Sequence, residues 1–225
     1  MEKRAERYME DNLDIPVRLA LEMIQRRIME ETAYLGIKTL KNPLDFWVYQ
    51  EIVFQTRPDF IIEIGNYHGG STLALAHICD HLENGRVIGL DLSHENVSPR
   101  VSGHPRILLI EGDACESFPK VAQIVGGHAK VMIIEDSAHT CENTLSVLET
   151  YSALVKPGQY FIVEDSICHH GLDTGPSPGP YEAIEAFLKK HPDFESDRKK
   201  ESFFITWNPR GYLKRQAPDG KRRST

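Results

Sequence analysis

The sequence predicts an α/β fold: a central, mostly parallel β-sheet with helices on both faces and an antiparallel strand near the C-terminus. Three observations carry this. Short apolar runs near 60–64, 86–91, 106–110, 130–135 and 159–164 alternate with segments of helical character near 70–83, 115–125, 140–154 and 180–190. The first run enters a glycine loop, Ile61-Ile-Glu-Ile-Gly-Asn-Tyr-His-Gly-Gly-Ser-Thr72, after which Leu75, Cys79 and Leu82 recur at helical spacing. Several runs end in acidic residues: Asp91, Asp113, Asp136, Glu164 and Asp165.

Residues 1–42 read as an N-terminal helical cap. Val17, Leu21, Ile24 and Ile28 fall on one face of a helix, with Asp14 as its cap and Pro16 in its first turn. This helix covers either the active site or a subunit contact, and a homo-oligomer is expected. Gly36 to Pro43 reads as a loop. A second helix runs from about Pro43 to Gln55, with Trp47 and Tyr49 as packed aromatics, and Arg57-Pro58-Asp59 ends it. The core spans 43–213. Within it Lys156-Pro157-Gly158 marks a turn. Ile167 to Pro180, with Gly171, Gly175, Gly179, Pro176 and Pro178, is a long loop of the kind that is often functional. Ser202 to Trp207 is expected as the final strand, in an antiparallel hairpin with a strand near Phe194. Residues 214–225 read as a basic tail without fixed structure, in which Lys214, Arg215, Lys221, Arg222 and Arg223 outweigh Asp219.

Composition narrows the function classes. A chain of 225 residues with 40% hydrophobic residues builds an ordinary core, so wholesale disorder is excluded. A formal net charge of -7 argues against general nucleic-acid binding. No apolar run is long enough for a membrane span, and Met1-Glu-Lys-Arg-Ala-Glu-Arg lacks the apolar core of a signal peptide. Cys79, Cys115, Cys141 and Cys168 are dispersed, which points to reduced thiols in a cytoplasmic protein.

The glycine loop limits what it binds. A dinucleotide fingerprint needs a second glycine where Tyr67 stands, and a phosphate-cradling loop needs a lysine that is missing here. Acidic-x-Gly-x-x-x-Gly, from Glu63 through Gly65 to Gly69 and on to Ser71, resembles instead the first motif of class I S-adenosylmethionine-dependent methyltransferases, a Rossmann-like fold. That resemblance implies a loop holding the amino acid end of the cofactor, Asp91 holding the ribose hydroxyls and Asp113 near the adenine. A carboxylate suits a vicinal diol because it accepts two hydrogen bonds.

Asp136, Glu164 and Asp165 end the fourth and fifth strands, and ligand sites in a parallel sheet lie outside the carboxyl ends of strands. Converging carboxylates repel unless a cation joins them, and a hard divalent ion such as Mg²⁺ suits all-oxygen ligands. The alternative reading is structural: Asp136 caps the next helix and Glu164 pairs with a basic residue. The residues alone leave both open.

A wider resemblance follows in order along the chain: Thr32-Ala-Tyr-Leu-Gly-Ile-Lys38, Lys41-Asn-Pro-Leu-Asp45, Tyr49-Gln-Glu51, Arg57-Pro-Asp59, Glu63-Ile-Gly65, Asp136-Ser-Ala-His139, Val163-Glu-Asp165 and Asn208-Pro-Arg-Gly-Tyr-Leu-Lys214. Over roughly residues 30–215 the chain resembles the cephalosporin hydroxylase/rhamnosyl O-methyltransferase family. The resemblance implies Mg²⁺ held by Asp136, Glu164 and Asp165, with Asp136 also near the cofactor. It places His139 as the general base, and Tyr49-Gln50 along the cofactor pocket. It implies methyl transfer to a hydroxyl of a small molecule, a sugar or other natural product. A metal-dependent hydroxylase and a non-catalytic cofactor-binding partner are the rival functions. His169 and His170, beside Asp173, read as solvated loop residues, and His68 as positional. His191-Pro-Asp193 imitates the start of an iron triad but lies past a helix, away from the strand ends.

Overall fold

The computed structural model describes residues 8–217. Helix α1 (Val17–Glu31) leads into a small hairpin, β1 (Ala33–Tyr34) and β2 (Ile37–Lys38), and then α2 (Pro43–Thr56). The core continues as β3 (Phe60–Ile64), α3 (Gly70–His81), β4 (Arg86–Asp91), α4 (Pro99–Ser102), β5 (Ile107–Glu111), α5 (Ala114–Val125), β6 (Val131–Glu135), α6 (Cys141–Tyr151) and β7 (Tyr160–Val163). It closes with α7 (Pro180–Lys190), β8 (Phe194–Ser196) and β9 (Tyr212–Arg215). No described helix is long and apolar enough to cross a membrane.

Local chemistry sets the helix starts. Asn42 accepts from the Leu44 amide at 3.2 Å with Pro43 in the first turn of α2. Asp113 accepts from Glu116 N at 3.0 Å ahead of α5, and Thr140 from Asn143 N at 3.2 Å ahead of α6. Helix α1 departs from expectation: Pro16 precedes its first residue, and Asp14 makes no capping bond.

The main sheet runs β5-β4-β3-β6-β7-β9-β8. The first five are parallel, and β9 lies antiparallel between β7 and β8. Both faces are covered, which explains why strands such as β3 and β6 are mostly apolar runs, broken only by Glu63 and Glu135, rather than alternating. Ile62, Ile64 and Ile133 pack with Val121, Leu148 and Phe187 on one face. Ile61, Met132 and Ile134 pack with Val48, Ile52 and Leu73 on the other.

Two expectations are corrected at the C-terminal end. Residues 202–207 form turns rather than a strand, and the strand that pairs with β8 is β9. The segment cannot extend because Asp45 of α2 captures it: its carboxylate accepts from Thr206 Oγ1 at 2.5 Å and from the Trp207 amide at 2.8 Å. Phe204 is left 80% exposed with a positive φ. Lys214 and Arg215, read as tail, are the end of β9; Asp219, Lys221, Arg222 and Arg223 lie outside the described residues. Trp47, expected to be packed, is 58% exposed.

Asp45 also accepts from Asn42 Nδ2 and from the Tyr212 hydroxyl, both at 2.8 Å. Burial pushes its carboxyl pKa up, and these donors oppose that shift. Removing the acceptor orphans several buried donors at once. Asp45→Ala is expected to destabilise the protein by about 3 kcal/mol, lowering Tm by roughly 6–12 °C in a thermal melt.

Candidate active site

Chain direction reverses at β3: β4 and β5 lie to one side, β6 and β7 to the other. A crevice opens at such a switch point, outside the strand carboxyl ends. Here it is a cavity of about 570 Å³ whose lining includes Gly65, Asp91, Asp113, Asp136, His139 and Asp165.

The glycine loop forms one end. Gly65 has φ +83°, and a Cβ there would lie 2.1 Å from the Asp136 carbonyl oxygen. Only a residue without a side chain lets β3 turn this close to the end of β6. Gly69, φ +82°, precedes α3 against Val101, and Ser71 lines the cavity from the first turn of that helix. Asp91 ends β4, where its Oδ2 accepts from the Tyr67 amide at 2.8 Å. Asp113 faces the cavity while capping α5. Glu63 is placed differently: it is wholly buried, accepts from Thr72 Oγ1 at 2.5 Å, and stands behind the cavity wall.

Asp136, His139 and Asp165 line the same cavity. One ligand atom from each comes within 4.8 Å of the others. His139 Nε2 lies 3.7 Å from Asp136 Oδ1 and 3.4 Å from Asp165 Oδ2, and its buried Nδ1 has no partner. His139 and Asp165 both have positive φ. Such backbone is uncommon outside glycine, although Asp and His adopt it more readily than most residues, and here it shapes the turns that bring the two side chains together. The loop carrying His139 is anchored by Glu135, fully buried, which accepts from Ser137 Oγ and from Thr144 Oγ1 at 3.1 Å. Thr140, not Asp136, caps the following helix.

Glu164 does not join this group at the cavity surface. It is buried and bonded to Lys41, whose Nζ lies 2.6 Å from Glu164 Oε1 and 2.5 Å from Asp136 Oδ2. The basic partner that the structural alternative required is therefore real. Burial pushes the Asp136 carboxyl up to about 6 even beside the Lys41 charge. Burial and the Asp136 charge raise Glu164 too. Burial disfavours the Lys41 ammonium, yet Asp136, Glu164 and Glu63 together hold its pKa well above the usual lysine value.

Sequence reasoning missed Lys41, Glu135 and the opposite wall. Lys41 sits in an extended stretch with no periodicity, so nothing local marks it as buried. The opposite wall is α1 docked on the 167–177 loop. Leu21, Ile28, Ile167, Leu172 and Trp207 form one apolar cluster, Trp207 Nε1 donates to Gln25 Oε1 at 2.5 Å, and Arg18 pairs with Asp173. Gln25, Ile28, Met29 and Trp207 line the cavity, so α1 forms part of its wall. Tyr49 is buried beneath the site, accepting from Asn208 Nδ2 at 2.7 Å, and neither it nor Gln50 lines the cavity. His169, His170 and His191 do not line it and bond Gly175 O, Glu182 and Glu149, and His68 bonds the Asn96 carbonyl.

Comparison with known proteins agrees with this architecture. The profile of the rhamnosyl O-methyltransferase/CmcI family matches residues 26–216. The chain belongs to that family. It is 34% identical over 195 residues to the rhamnosyl O-methyltransferase of Mycobacterium tuberculosis H37Rv, covering 83% of this chain and 79% of the relative. The Mycobacterium leprae enzyme of the same name is 33% identical over 198 residues, covering 84% and 85%. By family the chain is an O-methyltransferase. Among solved structures it superposes on CmcI described with Mg and SAM, at a TM-score of 0.67 and 21% identity over 96% of this chain and 88% of that one. It also superposes on an O-methyltransferase from Bacillus cereus in complex with SAH, at 0.56 and 17% over 83% and 86%. At these identities the likeness is one of fold, a Rossmann-like class I methyltransferase.

The contact between Gly65 and the end of β6 makes a direct test. Gly65→Ala forces positive φ on a side chain and drives its methyl into backbone. It is expected to cost at least about 2 kcal/mol, a Tm loss of roughly 4–8 °C, whereas Ala at Gly126, which meets nothing within 4 Å, suffers only the dihedral strain.

Proposed function

We propose that the protein transfers a methyl group from S-adenosylmethionine to a hydroxyl of a sugar or other small hydroxylated natural product, with Mg²⁺ at the acceptor end. The observation that carries this reading is that the glycine loop and Asp91 line the same cavity as Asp136, His139 and Asp165. The donor set fits a hard divalent ion, since Asp136 and Asp165 turn carboxylate oxygens toward a common point beside His139. Asp136 and Asp165 would hold the ion, with Glu164 drawn back behind them by Lys41. When bound, S-adenosylmethionine supplies an electrophilic methyl group and Mg²⁺ lowers the pKa of the acceptor hydroxyl.

The chain's own groups do the rest. The loop from Gly65 to Ser71 brings backbone close to the cofactor, and Asp91 accepts from its ribose hydroxyls. His139 Nε2 takes the proton that leaves the acceptor oxygen as the O–CH₃ bond forms and the S–CH₃ bond breaks. Helix α1 and Trp207 cover the acceptor side and exclude water. Much of the rate then comes from holding two reactants in line. The unpaired thiols of all four cysteines suit a reducing compartment such as the cytoplasm. The His191-Pro-Asp193 segment that imitates an iron triad is taken up otherwise, His191 by Glu149 and Asp193 by Arg215. Turnover with S-adenosylmethionine under anaerobic conditions separates methyl transfer from the rival hydroxylase reading.

Asp91→Ala should weaken S-adenosylmethionine binding at least ~tenfold by calorimetry, because hydrogen bonds to a carboxylate are worth roughly 1.5–3 kcal/mol each. An unchanged affinity in the folded variant would remove Asp91 from the site. Metal-stripped protein in excess EDTA should release no S-adenosylhomocysteine from any acceptor in a hydroxylated panel, and Mg²⁺ should restore it. Full turnover in EDTA would return the carboxylates to a structural role. His139→Ala should lose roughly 10²–10⁴-fold in kcat while still binding cofactor, the usual worth of a positioned base. Near-normal turnover per folded molecule would sink the base assignment.

A further inference from the structure

Lys41 is a fully engaged cation with no role in the reaction described above. It is 6% exposed, and its ammonium reaches Asp136 Oδ2 at 2.5 Å, Glu164 Oε1 at 2.6 Å and Glu63 Oε1 at 3.5 Å. Glu63 Oε1 has no hydrogen-bond partner, so this charge is its compensation. The three carboxylates come from β3, the end of β6 and the end of β7, and Lys41 comes from the stretch between β2 and α2. One side chain therefore joins the cofactor loop, the cation-facing carboxylate and the carboxylate behind it.

We propose that Lys41 is a positioning residue: a built-in counter-ion that orients Asp136 and Glu164 before any metal arrives and limits how tightly the site then holds a divalent cation. The inference rests on the reading of the site as cation-assisted. Asp136 divides its two oxygens. Oδ2 is taken by the ammonium behind, which turns Oδ1 toward His139 and the cavity in front. Glu164 is drawn back by the same ammonium and by the Tyr49 hydroxyl, which Asn208 holds in turn. Without a cation these carboxylates would repel one another in a buried setting. With Lys41 present they are held in fixed orientations, and an incoming ion meets a positive charge on the far side of Asp136. That repulsion weakens its binding and favours exchange.

The test is a double-mutant cycle on Lys41→Met and Glu164→Gln, with two readouts on the purified protein. In EDTA, Lys41→Met should melt roughly 6–12 °C below wild type, because it leaves buried charges unpaired. Adding Glu164→Gln should recover at least half of that loss, since it removes the charge that Lys41 balanced. By calorimetry, Lys41→Met should bind Mg²⁺ at least ~tenfold tighter than wild type, with a larger Mg²⁺-induced rise in Tm. If Lys41→Met does not fold alone, the double variant should still give a cooperative melt. Additive effects in EDTA, an unfolded double variant, or an unchanged Mg²⁺ affinity in Lys41→Met would each overturn the proposal. The arms separate the two readings: wild type without measurable Mg²⁺ binding would overturn the cation-assisted reaction, while the cycle in EDTA judges the counter-ion role independently.

Discussion

The constraint on which the active site depends is charge at the carboxyl edge of a buried sheet. Glu63, Asp136, Glu164 and Asp165 all come from β3, β6 and β7 or the turns that end them, and the first three are within reach of one ammonium. A sheet covered on both faces has little water there to solvate them, so each carboxylate needs a proton, a donor or a cation. The solution is layered. Lys41 and Thr72 serve the buried side, while Asp136 Oδ1 and Asp165 are left facing the cavity beside His139. The same arrangement that satisfies the buried charges leaves the front ones free for chemistry.

Beneath that layer a second polar network ties the C-terminal segment to α2. Asp45 gathers donors from Asn42, Thr206, Trp207 and Tyr212, and Asn208 bonds Tyr49. All of these except the Asn42 bond span more than 150 residues of sequence. They fix β9 in the sheet next to β7, and so fix the strand whose end carries Glu164 and Asp165. The network also places Trp207, which meets α1 through Gln25 and lines the cavity. The C-terminal segment and the cavity wall are therefore held by the same buried network.

Helix α1 shows how an amphipathic pattern acquires a function. On its own it is a stripe of apolar residues that needs cover. In the fold the cover is the 167–177 loop and Trp207, and the price is that residues between the stripe and the polar face, Gln25 and Met29, end up lining the cavity. This wall of the cavity is thus built from the two parts of the chain to which the family resemblance assigns no role, the cap helix and the long loop.

Read from sequence alone, the alternation of apolar runs and helical segments determined the sheet, its parallel core and the helices that cover it, because burial on both faces leaves a strong, local, repeated pattern. The glycines at 65 and 69 and the acids at strand ends were legible for the same reason: turn chemistry and strand termini are local. Only the tertiary structure decided which charge faces which. Lys41 precedes Asp136 by 95 residues and Glu164 by 123, with no periodicity marking it. Ser202 to Trp207 looked like a strand because it is rich in apolar and aromatic residues, but a distant carboxylate claimed its amide. Pairing of buried charges is a property of three-dimensional neighbours, and a local pattern has no means of recording it.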